Sequence, residues 1–598
     1  MWAWPLEGLV RSGATHYTKE SEPRSASALI ATSISTDQCY KFYYAIYLVM
    51  ANQVNGVMLQ GFHWFLKGQL PDGRHLWKFL KDEAQTLRDA GFTSIWIPPA
   101  YKPAGNRDSS VGYDVYDHFD LGEFDSQGRK RVKYGTKSDL LEAINALHGT
   151  NGERRIDVYA DVVLNHMIGG DEDDWWQAIR VEKDSRNVER WGPGFETGPI
   201  EVRAFTKFDH AARGNLYSSF KWHSRHFDSV DTVRRIRQNG NEFVDQGSYI
   251  YRFLYNELNY SPEVKKFEDW VSLEKGNYDY LTGADLDYGR FDVREEMKYW
   301  GEWFVKELSL DGVRIDVVKH FSADYLREWL GHVRAKSNNS LFAVCEYIEG
   351  GTKSLHDYIT RVSASGDFPQ VITLFDFPLR FKFKDASMQG YSYDLRRLSS
   401  GTLVSEQPTL AVTFVENHDY EYARDYESHV EEWFKPLAYA FILLREGGYP
   451  CIFFPDYFGS GDRSWKPHQI SGKEYLDLFL MLRKQFALGE ERYYAERNIA
   501  GWIRMGFVPG AKGAMAVVIN NSPVGVQAIR MNTGRFNVCF YHLATIKSSA
   551  SAFEVVKGDY QLYGSKSGGL WTDSSGWGDF VAEGGTVSIW IEYGASLS

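Results

Sequence analysis

Four phrases in this 598-residue chain end apolar runs with groups able to move protons or accept a covalent bond. They are Asp161-Val-Val-Leu-Asn165-His166, Gly312-Val-Arg314-Ile-Asp316-Val-Val-Lys319-His320, Phe342-Ala-Val-Cys-Glu346-Tyr347 and Phe414-Val-Glu416-Asn417-His418-Asp419. In an extended strand Arg314 and Asp316, two apart, point to one face. A guanidinium so placed holds the carboxyl ionised, which suits a nucleophile and not a proton donor. Glu346 follows an apolar stretch that raises a carboxyl pKa, which suits a general acid. Two carboxyls pushed in opposite directions are what cleavage of a glycosidic bond requires, and a separation of about 5 Å would mean retention through a covalent sugar intermediate. Any one of these acids alone reads as a helix cap or a loop charge. Four such clusters at four strand ends read as a site.

The elements that must carry them follow from the alternation of the chain. Eight short apolar runs, Val57–Gln60, Ser94–Pro98, Asp157–Leu164, Gly312–Val317, Leu341–Cys345, Val371–Phe375, Leu410–Val415 and Cys451–Phe454, are separated mostly by helical patterns such as Leu76–Ala90, Lys137–Leu147, Val293–Leu308, Ala323–Lys336, Val430–Arg445 and Lys473–Leu488. Buried parallel strands with helical crossovers, eight times, predict a (β/α)8 TIM barrel, whose chemistry sits at the C-terminal ends of the strands. The third and fourth runs lie much farther apart than one helix needs, which predicts an inserted, irregular β-rich subdomain. Within it Asp171-Glu-Asp-Asp174 reads as solvated loop acids. Near the end Val587, Ile589, Ile591 and Tyr593 share one face at period 2, the mark of an antiparallel sheet packed on one side, here a terminal β-sandwich. The expected divisions are an N-terminal extension at 1–52, the barrel at 53–164 and 291–490, the insertion at 165–290 and the sandwich at 491–598.

Composition narrows the partners. With 67 Lys and Arg against 79 Asp and Glu the formal charge is −12, and no positive field is available for nucleic acid. Aromatic residues make up 16%, so the rings serve large cores, sugar stacking or both. Cys39, Cys345, Cys451 and Cys539 form no Cys-x-x-Cys and read as buried free thiols. The longest apolar approach to a membrane span, Phe42 to Ala51, falls short of the roughly 18 residues required. Residues 1–49 read as a dispensable extension or a start placed too far upstream of Met50.

The four strand-end phrases resemble the signature regions of the α-amylase family, glycoside hydrolase family 13. Asn55-Gly-Val-Met-Leu-Gln-Gly-Phe-His-Trp64, Ile95-Trp-Ile-Pro-Pro-Ala-Tyr101, Val111-Gly-Tyr113-Asp-Val-Tyr-Asp117 and Trp433-Phe-Lys-Pro-Leu-Ala-Tyr439 are similar to its subgroup of bacterial liquefying and fungal intracellular members. The resemblance implies retaining endo-hydrolysis of α-1,4-glucosidic bonds in starch, glycogen or malto-oligosaccharides. Asp316 then matches the nucleophile, Glu346 the general acid/base and Asp419 the carboxylate that grips the reacting sugar. Arg314, His166 and His418 match its companions, Tyr113 the stacking platform, and Lys319 and His320 the leaving-group side. Calcium is implied too, held by Asn165, Asp279, Asp285 and the carbonyl of His320, with Asp228 and Asp269 at additional metal positions; such oxygen donors suit Ca²⁺. Glu416 stands where the subgroup often has Asp, Gly289 replaces an acid of the secondary metal cluster, and the loop from Tyr420 to Asp425 departs from the bacterial pattern. A 4-α-glucanotransferase and a non-catalytic glucan-binding protein are the alternative readings. The expected partner is an α-glucan, with no nucleic acid and no membrane, for a monomer in the cytoplasm or, as the alternative, secreted.

Overall fold

A computed structural model describes residues 55–595 apart from 71, 106–107, 127, 151, 189–198, 245–246, 248, 256–262, 338–340, 365–370, 422–427, 460–469, 507–512, 550–551 and 559–568. The expected N-terminal extension, Cys39 and most of the 420–425 loop lie outside the described residues.

The eight apolar runs become eight parallel strands: β1 (Met58–Gln60), β2 (Ser94–Ile97), β3 (Asp157–Val162), β4 (Gly312–Ile315), β5 (Phe342–Cys345), β6 (Thr373–Phe375), β7 (Ala411–Phe414) and β8 (Tyr449–Phe453). Each pairs with its neighbours in chain order, and β1 pairs with β8 to close the barrel. Between them run α1 (Leu76–Ala90), α2 (Lys137–His148), α3 (Phe291–Leu308), α4 (Ala323–Lys336), α5 (Thr352–Ala364), α6 (Phe377–Gln389) and α7 (Lys435–Leu443), with α8 (Lys473–Gln485) after β8. The strands are buried because helices cover them outside while their own side chains fill the inside. In α1 the buried Leu76, Trp77, Leu80, Ala84 and Leu87 make the stripe that packs inward, and Gly91, at φ 118°, ends the helix. Gly312 opens β4 without a side chain because a Cβ there would lie 2.5 Å from the Tyr159 ring.

The insertion is more regular than the sequence suggests. Nine strands between His166 and Leu286 form one antiparallel sheet, including Glu172–Glu182, Ile200–Lys207 and Tyr249–Tyr255. The expectation of solvated loop acids at Asp171–Asp174 holds only in part: Asp171 and Glu172 are exposed, but Asp173 is not left to water. Residues 172–174 open the longest strand, Asp173 pairs with Arg203 (2.8 Å) and Arg234 (2.9 Å), and Asp171 accepts from the Tyr116 hydroxyl (2.6 Å). Opposite charges on the neighbouring strands and loop hold acids that sequence alone leaves to water.

The chain ends in a seven-stranded antiparallel sheet and a two-stranded ribbon, Val526–Asn532 with Trp577–Glu583, which enclose Ile503, Val518, Ile529, Phe540 and Phe580. Strand Thr586–Glu592 is buried on both faces, not one: Val587, Ile589 and Ile591 join the barrel's core while Trp590 faces the ribbon side. Tyr593 falls outside the strand and is exposed. Cys345, Cys451 and Cys539 are free and buried. No helix among the described residues is long and apolar enough to cross a membrane.

Candidate active site

The C-terminal ends of β3, β4, β5 and β7 deliver their polar residues to one place. Asp316 follows β4 directly, its amide bonded to the Val162 carbonyl at 2.9 Å, and Glu346 follows β5, its amide on the Ile315 carbonyl at 3.0 Å. Thus the barrel ladder itself fixes both backbones. Between Asp316 and Lys319, Val317 sits at φ 42°, a left-handed conformation that a β-branched residue adopts at a cost and that is found at functional turns.

Arg314, wholly buried in β4, joins the acids. Its Nη1 donates to Asp316 Oδ1 (2.5 Å) and to Asp161 Oδ1 and Oδ2 (3.0 and 3.1 Å), and its Nη2 lies 2.8 Å from Glu346 Oε1. One cation is therefore shared by three carboxylates, with Asp419 as a fourth acid nearby. Burial, and then repulsion by Glu346, Asp161 and Asp419, push Asp316 well above the usual carboxylate range despite Arg314. Burial likewise lifts Asp161 to about 6. The expectation that Arg314 simply keeps Asp316 ionised is corrected here, because a single guanidinium divided three ways cannot neutralise the cluster. Such a cluster retains a proton that belongs to the network rather than to one residue.

Aromatic rings form one wall. Tyr113 donates from its hydroxyl to Asp161 Oδ2 at 2.9 Å, and its ring lies nearly parallel to His418 (5.2 Å, 8°) and Trp64 (6.3 Å, 6°). Gln60 Nε2 faces His418 Nδ1 at 3.0 Å, so the amide donates and His418 presents Nε2–H toward Asp419 Oδ2, 3.6 Å away. Glu421 accepts from the Trp64 amide (2.6 Å) and faces His63 Nδ1 (3.1 Å), which fixes Trp64. His166 Nε2 donates to the Tyr113 carbonyl (2.9 Å), and burial drops its pKa to about 4, so the ring is neutral. Lys319 Nζ donates to the Ile348 carbonyl (2.7 Å) and to Glu274. His320 Nδ1 donates to the Tyr278 carbonyl (2.6 Å), and burial drops it to about 3. Asp316, Glu346, Asp419, Tyr113, His166, His418, Lys319 and His320 all line one open cavity of about 630 Å³.

Behind this cavity the insertion meets the barrel through a second acid cluster. Carboxylate oxygens of Asp228, Asp279 and Asp285 lie within 4.8 Å of one another, all buried. Burial and mutual repulsion push all three well above the usual range. Asp228 Oδ2 has no hydrogen-bond partner. Asn165 Nδ2 points at Asp285 Oδ1 (2.8 Å) and the His320 carbonyl (3.1 Å), while Asn165 Oδ1 faces His166 Nδ1 at 3.2 Å. That last contact sets acceptor against acceptor, since His166 carries its proton on Nε2. Turning the amide over makes Nδ2 donate to His166 and points Oδ1 at the other oxygens, an all-oxygen cage that only a cation satisfies. The donor set therefore fits a hard divalent ion.

No protein-family model matches the chain. Among curated relatives, an α-amylase of Geobacillus stearothermophilus is 39% identical over 546 residues, which cover 91% of this chain and 88% of that one. A cytoplasmic α-amylase of Escherichia coli is 34% identical, covering 90% of this chain and 99% of its own. The chain belongs to the α-amylase family. The crystal structure of a Geobacillus thermoleovorans α-amylase complexed with acarbose shares the fold at a TM-score of 0.54 and 15% identity, over 91% of this chain and 99% of that one. Membership makes this chain a glycoside hydrolase on a barrel with extra β-rich domains.

Of the two acids expected at additional metal positions, Asp228 lies in the acid cluster and Asp269 does not. Asp269 is exposed and lies outside the acid cluster, whereas Glu268, beside it, turns inward, accepts from Ser322 N (2.7 Å) and Tyr288 N (2.9 Å), and is lifted to about 8 by burial and then by Asp228. Lys265, also buried, donates to Asp287 Oδ2 (2.9 Å) and to the Phe227 carbonyl (2.7 Å). Residues the sequence did not single out for the site include Asp161, Gln60, Trp64 and Glu274. Asp161 and Trp64 stand inside motifs quoted above, and alternation along β3 was the signal that could have found Asp161, two residues after Tyr159 on the inward face.

Proposed function

We propose that the chain cleaves internal α-1,4-glucosidic bonds of α-glucans with retention of configuration, Asp316 acting as nucleophile and Glu346 as general acid/base. The observation that carries this reading is the sharing of one guanidinium: Arg314 Nη1 holds Asp316 and Nη2 stands against Glu346. Carboxyls that both reach one guanidinium lie close together, which supports the shorter separation of about 5 Å that goes with a covalent glycosyl intermediate. Glu346 donates the network's proton to the leaving oxygen while Asp316 attacks the anomeric carbon. Glu346 then takes a proton from the water that releases the sugar. As Glu346 loses the network's proton Asp316 becomes a neutral ester, so Arg314 faces two charged carboxylates both before and after the step. Tyr113 and Trp64 supply the stacking wall, and His418 and Asp419 hold hydroxyls of the reacting sugar.

Calcium is the proposed ion, held by Asn165 Oδ1, Asp279, Asp285 and the His320 carbonyl, with Asp228 beside it. When bound it supplies fixed positive charge that locks the insertion to the strand ends. Asp269, exposed and outside the cluster, is not among these proposed ligands. The relative in Escherichia coli, named cytoplasmic, and the free buried thiols Cys345, Cys451 and Cys539 support a cytoplasmic place. The deciding experiment is product analysis from maltoheptaose with the anomer of the first product followed by NMR. Shorter α-configured products alone are expected; chains longer than the substrate would make the protein a transferase instead, and β-products would overturn retention.

A further inference from the structure

Trp270 and Trp571 are the exposed tryptophans among the described residues, and Trp270 is held as no idle surface ring is. It is 58% exposed, and its backbone sits at φ 67°, a left-handed conformation that is a true outlier for a bulky residue. Strain of this kind persists only where surrounding contacts enforce it, and here they do. The Arg361 guanidinium carbon lies 3.5 Å from the centre of the indole, and Arg361 is in turn anchored on Asp324, with Nε 2.9 Å from Oδ1. One face of the ring is thus covered by a fixed cation, and the opposite face is left to solvent in a set orientation.

The loop that carries Trp270 continues the wall of the cleft. Ala323 N donates to the Trp270 carbonyl (3.4 Å), and Ser272 N donates to the Lys319 carbonyl (3.0 Å). Lys319 lines the cavity, and so does Glu274, four residues beyond Trp270. Leu273 between them is 80% exposed. Arg361 belongs to α5, the helix that follows Glu346, so the ring lies on the side of the cleft where the general acid meets the leaving group. Asp269 and Glu274 flank the ring along the loop, and Arg361 is already paired with Asp324, so no surplus of positive charge awaits an anionic polymer. A preoriented aromatic face without ionic demand fits the flat apolar face of a neutral sugar ring.

We propose that Trp270 is a stacking subsite for the leaving-group arm of a long glucan chain, outside the catalytic cavity, with Arg361 as its positioning residue. The proposal rests on the glucan-cleaving function proposed above and deepens it. It is tested with Trp270→Gly, which suits the left-handed backbone and so favours folding, and with Trp270→Tyr, which restores a ring. Each is assayed on long amylose and on a chromogenic maltotrioside too short to reach the loop. Trp270→Gly is expected to lower kcat/KM on amylose about tenfold, chiefly through KM, to leave the maltotrioside unchanged, and to be largely rescued by Trp270→Tyr. Unchanged kinetics on amylose, or equal losses on both substrates, overturns the subsite. Failure of the unaltered protein to cleave either glucan would bring down the proposed function instead.

Discussion

Arg380 Nη2 donates to Glu416 at 3.0 Å with both side chains wholly buried, and the pair clamps the two ends of the loop that carries Asp419. Glu416 stands three residues before Asp419 and also accepts from Val430 N, beyond the loop, while Arg380 reaches Ser428 Oγ at 3.1 Å. The Arg380 guanidinium carbon further lies 4.2 Å from the centre of the Tyr420 ring. Removing one partner of a buried pair leaves the other charge uncompensated and costs roughly 3–5 kcal/mol. Glu416→Ala is therefore expected to lower the urea midpoint markedly and to reduce kcat by loosening Asp419. An unchanged midpoint would show that the pair does not hold the loop.

Asp316→Asn is nearly isosteric and keeps an acceptor for Arg314, so the variant should fold. It removes the nucleophile, and turnover on amylose is expected to fall by about three orders of magnitude or more. Retention of a tenth of the activity of the unaltered protein would refute the assignment. The same substitution removes one of the acids that crowd Asp161, so any ionisation assigned to the network in a pH profile should move downward.

The eight barrel strands are legible in the sequence because strands covered on both faces read as mostly apolar runs, and Arg314, Asp316, Glu346 and Asp419 are legible because they sit in those runs or just beyond them. What sequence could not resolve is a matter of local geometry. Glu268 and Asp269 are adjacent acids, and which one turns inward depends on the backbone leading to the left-handed Trp270. The buried face of α6 mixes Phe377, Leu379 and Phe383 with Arg380, so its apolar stripe is broken by the very charge that clamps the Asp419 loop. The sharing of Arg314 among three carboxylates is likewise invisible in one dimension, since Asp161 lies on another strand.

Calcium removal should destabilise the protein by an amount that grows with pH. In the metal-free fold, burial and mutual repulsion raise Asp228, Asp279 and Asp285, and Glu268 is lifted to about 8. In the unfolded chain these groups ionise near about 4. Between those limits the folded, metal-free protein binds more protons than the unfolded one, so its stability falls as pH rises from about 4 toward 8. Bound calcium keeps its ligands ionised and removes much of this penalty, and at a hundredfold excess over Kd it adds about 2.7 kcal/mol by mass action. The difference in melting temperature between calcium-loaded and chelated protein should therefore be small near pH 5 and larger near pH 8. A gap that is constant or narrows with pH would count against these acids as the ligands.

Lys265 is expected to limit how many ions the cluster takes. Its buried amine is bonded to Asp287 at 2.9 Å and to the carbonyls of Phe227 and Arg225, and burial lowers its pKa while the charges of Asp287 and Asp228 work to keep it an ammonium. With that charge built in and Glu268 carrying a proton at neutral pH, one divalent ion is the expected complement of Asp228, Asp279 and Asp285. Metal analysis of the purified protein should give one calcium per chain. Lys265→Met keeps the length and apolar stem of the side chain but strips the charge from Asp287 and Asp228, a loss of roughly 3–5 kcal/mol in the absence of added metal. Millimolar calcium should restore much of that stability and raise the bound calcium above one per chain. Two calcium ions in the unaltered protein, or a variant that calcium does not rescue, would show that Lys265 does not stand in for a second cation.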